Sequence, residues 1–213
     1  MFRVLLLSLS ALTFSACNPT STAKDEANKR SLPKPAPATP ASAEPAPVRG
    51  ALTIDPSRSS ISFVGANVLS SHTGAFKTFS GTIEMGDDGP TSIAVNVDTA
   101  SIFVEHPKLL GHLRTEDFFF VEKFPTASFK STSIAASSDA DYTHTVTGDI
   151  TIRGVTKPQT FPIRVTQIDG GWRGTAAFDL KRMDFNVAYK GAADNLVKTK
   201  IPLTLELVAT KSS

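Results

Sequence analysis

The chain of 213 residues contains one cysteine, one tryptophan and two tyrosines. The single thiol, Cys17, excludes a disulfide within the chain, so it is unpaired, intermolecular or modified. Long apolar runs are lacking too. The only candidate lies in MFRVLLLSLSALTFSAC, and it falls short of the roughly 20 residues that a bilayer-spanning helix needs. Charge of one sign is missing as well. The whole chain stands at +2, and residues 51–213 hold 16 Lys+Arg against 17 Asp+Glu. With no concentrated basic stretch, nucleic acid is excluded as a partner. No G-x-S-x-G elbow is present. His72, His106, His112 and His144 show no metal-ligand spacing beside a second donor cluster, so no metal is expected.

Three segments emerge from what is there. Residues 1–16 carry Arg3, an apolar run and then small Ser15 and Ala16, the pattern of a secretory signal peptide. With Cys17 following FSA, the segment resembles a bacterial lipoprotein signal. That resemblance implies a lipidated Cys17, carrying palmitate-like acyl chains, as the mature N-terminus. More than one acyl chain is needed for stable anchoring. Asn18 in place of aspartate implies, by the same resemblance, the periplasmic face of the outer membrane. Residues 17–50 then form a tether. They are rich in Pro and Ala and nearly free of large apolar side chains, so they bury too little surface to offset their ordering entropy. Full polyproline extension would span on the order of 100 Å, at about 3.1 Å per residue.

Residues 51–213 form one domain whose dominant period is two. Ile61 and Phe63 share a face, as do Phe79, Ile83 and Met85. So do Ile93, Val95 and Val97, and Val146, Ile150 and Ile152. Phe161, Ile163 and Val165, then Trp172, Ala176 and Phe178, then Ile201, Leu203, Leu205 and Leu207 complete the series. Alternation this persistent predicts antiparallel strands with one buried and one wet face. Turn signals at Asp87-Asp88-Gly89-Pro90, at Arg153 to Pro158 and at Asp169-Gly170-Gly171 separate them. The fold class is therefore all-β, a sandwich or an up-and-down barrel. One short helix is predicted around EHPKLLGHLR, where Pro107 suits the first turn, and a second helical turn is placed at residues 191–196.

The stretch HLRTEDFFFVEKFP follows that helix. Three consecutive residues cannot share one face of a strand. In a helix they sweep about 200°. One of Phe118, Phe119 and Phe120 must therefore face away from the core that holds the other two. Twelve of the 14 phenylalanines lie in the domain. A wall of Phe carries no polar atom in need of a partner, which suits a hydrocarbon lining.

Several motifs together resemble the YceI-like family of bacterial lipid- and polyisoprenoid-binding proteins over nearly all of residues 51–210. They are Ile54-Asp55, Ile61-Ser62-Phe63, Gly74-Ala75-Phe76 and Phe79-Ser80-Gly81, then His112-Leu113-Arg114 with Asp117-Phe118-Phe119. Phe124-Pro125, Phe129, TVTGDITIRGVTKPQTFP and Arg182-x-Asp184-Phe185 follow. Two features depart from the family pattern: Phe120 stands where an acidic residue is common, and Leu109-Leu110 where many members carry Arg-Asp. The resemblance implies an extended lipocalin-like antiparallel barrel with a short helix near its mouth and an apolar tunnel for an isoprenoid-type, quinone or fatty-acyl chain. It implies Phe63, Phe76, Phe79, Phe118, Phe119, Phe129, Phe178 and Phe185 as lining residues. His112, Arg114, Asp117, Arg182 and Asp184 become headgroup or rim candidates, read either as bonds fastening the helix to the rim or as contacts to an anionic headgroup. The expected partners are a lipid ligand and a membrane reached through Cys17, with a homodimer left open. No cofactor is expected beyond the bound lipid. Two alternatives stand beside this binding reading: an enzyme using His112 and Asp117 at the mouth, and a barrel filled by its own side chains.

Overall fold

A computed structural model describes residues 48–67, 69–188 and 197–211. The signal segment, Cys17, the tether up to residue 47 and the helical turn expected at residues 191–196 lie outside the described residues. The described residues begin slightly before the expected domain start. Val48 packs against the core, and Gly50 already opens the first strand.

Among the described residues there are eleven strands and one α-helix: β1 Gly50–Ile54, β2 Ser60–Ala66, β3 Ser71–Phe76, β4 Phe79–Met85, β5 Pro90–Asp98, β6 Ile102–Val104, α1 Pro107–Arg114, β7 Thr126–Ala136, β8 His144–Ile152, β9 Val155–Ile168, β10 Gly171–Lys181 and β11 Lys200–Thr210. Eight of them close an antiparallel barrel in the order β1-β4-β5-β7-β8-β9-β10-β11, sealed by β1 pairing back onto β11 at Thr53↔Thr210 and Ile54↔Ala209. The remaining three, β2-β3-β6, branch from the other half of β11, where Phe63 faces Leu203 and Ile61 faces Leu205. The connectivity is thus not purely up-and-down.

The branch has a local cause. Between β1 and β2, Pro56 opens a single 3-10 turn, Pro56–Arg58, capped by the Asp55 side chain. Proline has no N–H for a ladder, so pairing stops. Asp55 N–H still donates to Val208 O (2.8 Å), and Ser59 Oγ accepts from Val208 N–H (2.9 Å). These bonds hold the turn against β11 while the chain leaves the barrel.

The predicted alternation holds strand by strand. Phe79, Ile83 and Met85 are buried on β4, Ile93 and Val95 on β5, and Val146, Ile150 and Ile152 on β8. The turn expected over Arg153 to Pro158 is shorter than predicted. Arg153 and Gly154 (φ 51° and 71°) form it alone, and Pro158 already lies in β9 opposite Asp149. Positive φ at both central residues matches the twist of flanking strands. β1, β3, β6 and β7 escaped the period-two reading. They are short or rich in Gly, Ser and Ala, so their apolar signal is thin.

Helix α1 follows from Pro107 in its first turn and from the His106 ring nitrogen accepting Leu109 N–H at 3.3 Å. Leu113 packs it onto Ile102 and Val104 of β6. Its C-terminal carbonyls, orphaned as at any helix end, are taken by the next turn. Phe119 N–H bonds Leu113 O (3.0 Å) and Val121 N–H bonds Arg114 O (3.1 Å). That fold-back turns Phe118 and Phe119 inward. Phe120 adopts φ 47° and points elsewhere, stacking edge-on with Phe124 at 6.1 Å under the Lys123 ammonium.

Candidate apolar binding site

The barrel is not filled. A cavity of about 310 Å3 runs through its interior, at the lower end of the roughly 300–1,000 Å3 of small-molecule sites. Its wall is almost entirely hydrocarbon, because inward positions of the strands carry the apolar half of the alternation. Ile61 and Phe63, Ile150 and Ile152, Phe161, Ile163 and Val165, and Leu203, Leu205 and Leu207 all border it.

Rings form two chains along this wall. Phe129, Phe161 and Phe178, from β7, β9 and β10, lie side by side, with Phe129–Phe161 centroids 5.4 Å apart and Phe161–Phe178 stacked at 4.2 Å and 9°. Under α1, Phe63, Phe76 and Phe119 make the second chain, at 5.8 Å and 5.6 Å. Ring pairs of this kind add about 0.5–1.5 kcal/mol beyond burial, so each wall is stiff.

The two ends differ. At the end formed by the β4–β5 and β9–β10 turns, Met85, Pro90 and Trp172 border the cavity, and the indole N–H of Trp172 donates to Val48 O at 2.8 Å. At the opposite end lie α1, the Phe118–Phe119 turn and the tip of the β2–β3 hairpin. Here the lining acquires polar side chains: Asn67, His72 and Arg182. The His72 and His106 rings meet edge-on at 5.9 Å.

Seven of the eight expected lining residues border the cavity: Phe63, Phe76, Phe118, Phe119, Phe129, Phe178 and Phe185. Phe79 does not. It is buried in the core cluster, only 6% exposed.

The polar candidates scatter. His112 Nε2 and Asp117 Oδ2 meet at 3.0 Å beside Phe118, and neither borders the cavity. Arg114 donates to Ala100 O at 2.9 Å, tying α1 to the turn before β6. Arg114 thus ties α1 to a neighbouring element, while the His112–Asp117 contact joins α1 to the turn that follows it. Arg182 borders the cavity at the α1 end. It is 4% exposed, and its guanidinium donates to the carbonyls of Lys198 (3.0 Å), Val187 (2.8 Å) and Val197 (3.1 Å). These bonds tie the 3-10 turn after β10 to the backbone of Val187, Val197 and Lys198. Asp184 is exposed on the same 3-10 turn, Arg182–Phe185. A further staple was not anticipated. Arg153 donates to Phe118 O and Asn186 O, both at 2.6 Å, joining the β8–β9 turn to the Phe118 turn. An Arg-Gly turn carries no sequence signal for that role. Phe161 and Trp172 were readable as inward residues but not as lining, since alternation alone does not separate packed positions from open ones.

Comparison with known proteins agrees with this geometry. The family model described as YceI-like domain matches residues 52–209. The proteins named Protein YceI of Escherichia coli O157:H7 and of Salmonella arizonae are each 38% identical over 122 residues, 54% of this chain and 62% of theirs. The alignment thus spans less than two thirds of those relatives. Among solved structures, Burkholderia cenocepacia BcnA superposes with a TM-score of 0.68 at 27% identity, covering 74% of this chain and 99% of that one. The Campylobacter jejuni YCEI protein gives 0.58 at 25% identity, covering 66% and 85%. A polyisoprenoid binding domain from Saccharophagus degradans gives 0.60 at 15% identity, covering 78% and 100%, a likeness of fold.

Proposed function

The chain belongs to the YceI-like domain family, and on that premise we propose that it binds a long apolar lipid inside the barrel without covalent chemistry. The observation that carries this reading is the cavity itself, about 310 Å3 with a wall built almost wholly of aliphatic and phenyl groups. Burying one methylene contributes about 0.8 kcal/mol, so a prenyl or acyl chain gains affinity from area and shape alone. A polyisoprenoid, an isoprenoid quinone or a fatty-acyl chain fits that chemistry, with any polar head at the end bearing Asn67, His72 and Arg182.

The chain is proposed to work in the bacterial envelope. Lipidated Cys17 would hold it to the periplasmic face of the outer membrane, and the tether would let the barrel reach away from that surface. The FSAC signal and the Pro/Ala composition of residues 18–50 support this reading. His112 and Asp117, the pair a catalytic reading needs, do not line the cavity, which supports sequestration or carriage over conversion.

Mass spectrometry of lipid extracted from the purified protein tests the ligand class. A long-chain lipid that copurifies reproducibly supports it. A lipid-free preparation that takes up neither prenyl nor acyl probes refutes it. Replacing His112 with alanine is expected to lower the melting temperature and leave lipid uptake intact. Labelling with an azide-bearing palmitate analogue, lost on Cys17→Ala, is expected if the anchor reading holds.

A further inference from the structure

On β10 the inward positions run Trp172, Gly174, Ala176, Phe178 and Leu180, all bordering the cavity. A Cβ placed on Gly174 would meet nothing within 4 Å. Its register partners, Val165 on β9 and Leu207 on β11, flank that gap on the inner wall. Directly below it stands Trp172, whose indole N–H is committed to Val48 O at 2.8 Å. Swinging the ring aside would break this bond and leave a half-buried donor without it, which is unfavourable, so Trp172 makes a stop. Trp172 is paired with Ala209, and Phe63 with Leu203. That rise of six residues along β11 is about 20 Å at roughly 3.3 Å per residue.

We propose that Gly174 and Trp172 gauge the length of the bound chain: Trp172 is the floor, and the missing side chain at Gly174 is the space that receives the chain terminus. This inference rests on the lipid reading of the cavity. The same hydrocarbon wall would otherwise accept chains of many lengths with little discrimination, because apolar contact carries no register. A fixed indole beneath an open pocket supplies the register.

The test uses the full-length protein and a homologous series of probes, geraniol, farnesol, geranylgeraniol and a longer polyprenol, each displacing a fluorescent fatty acid. Gly174→Leu is expected to shift preference toward shorter probes, with about tenfold weaker binding for roughly every two chain carbons excluded, and to leave geraniol nearly unchanged. Trp172→Ala is expected to shift preference the other way, toward the longer polyprenol. Thermal melting checks that each variant folds. If Gly174→Leu does not, Gly174→Ala carries the test with a smaller shift of the same sign. Probe displacement that follows the wild-type length profile in both variants overturns the gauge alone. No displacement of the fluorescent chain by any probe, and no uptake of that chain by wild type, overturns the lipid reading and the gauge with it.

Discussion

Gly74 offers a sharp check on how the inner wall is built. It faces Phe63 across the β2–β3 ladder, and the Phe63 ring lies over it in place of a side chain. A Cβ at position 74 would collide with three ring carbons of Phe63 at once. Gly74→Ala must therefore push the ring away, and the open direction is the cavity that Phe63 borders. Overpacking of this sort costs about 1–3 kcal/mol, and alanine recovers about 0.5–1 kcal/mol of strand entropy. A net loss of about 0.5–2 kcal/mol lowers the melting temperature of a domain this size by about 1–8 °C, at roughly 2–4 °C per kcal/mol. Circular dichroism melts of the wild type, Gly74→Ala, Phe63→Leu and the double variant give the coupling. The loss should shrink in the Phe63→Leu background, with an interaction energy of about 0.5–3 kcal/mol. Displacement of a bound fluorescent fatty acid should weaken in Gly74→Ala and recover in the double variant. A Gly74→Ala protein that melts at or above the wild type, or pays the same cost with or without Phe63, would refute the reasoning.

Arg182→Met strips the donors from the carbonyls of Val187, Val197 and Lys198; at about 1–3 kcal/mol for each acceptor left unpaired, a loss of about 3 kcal/mol or more is expected. Thermal melting should fall by about 6–12 °C, with Arg182→Lys recovering little, since an ammonium lacks the planar fork; a melt unchanged from wild type sinks this role. The Asp55 carboxyl is held below its ordinary value because its oxygen accepts from Ser57 Oγ at 2.6 Å and from Ser57 N–H at 2.9 Å. A depressed folded pKa contributes stability above the unfolded value of about 3.9, lost as pH falls through the lower folded value. An NMR titration should place its midpoint below 3.9, on the ordinary scale of about 3.9, and Ser57→Ala should raise it; an unmoved midpoint contradicts the cause.

Much of the fold was legible because period two survives wherever one face is buried. Ile83, Met85, Ile93, Val95, Val146 and Ile163 sit where alternation puts them. The branch at β11 was not legible. It depends on Asp55 and Ser59 standing in for ladder partners of Val208, contacts about 150 residues apart in sequence. The three-Phe run was half legible. Sterics demand that one ring leave the core, but that it is Phe120 follows from the positive φ that the helix fold-back imposes.

The hollow interior was the least legible feature, and the reason is physical. A barrel of about eight strands can be filled by its own side chains or hold one ligand, and both outcomes need the same inward alternation. What separates them is volume at a few inward positions. Phe161 and Phe178 stack flat against each other and so leave space beside them. Gly65 and Gly174 put no side chain into that space, each with open room where a Cβ would stand. Phe79 shows the converse: its ring is as apolar as any in the lining, yet it is buried in the core cluster and does not border the cavity. Composition therefore points to a greasy interior, and the side-chain volume left out at inward positions such as Gly65 and Gly174 decides that the interior stays open. If so, bulky residues at both Gly65 and Gly174 should convert this barrel into a filled one that folds well and takes up no chain. A doubly filled variant that still displaced probes like wild type would place the ligand outside the barrel.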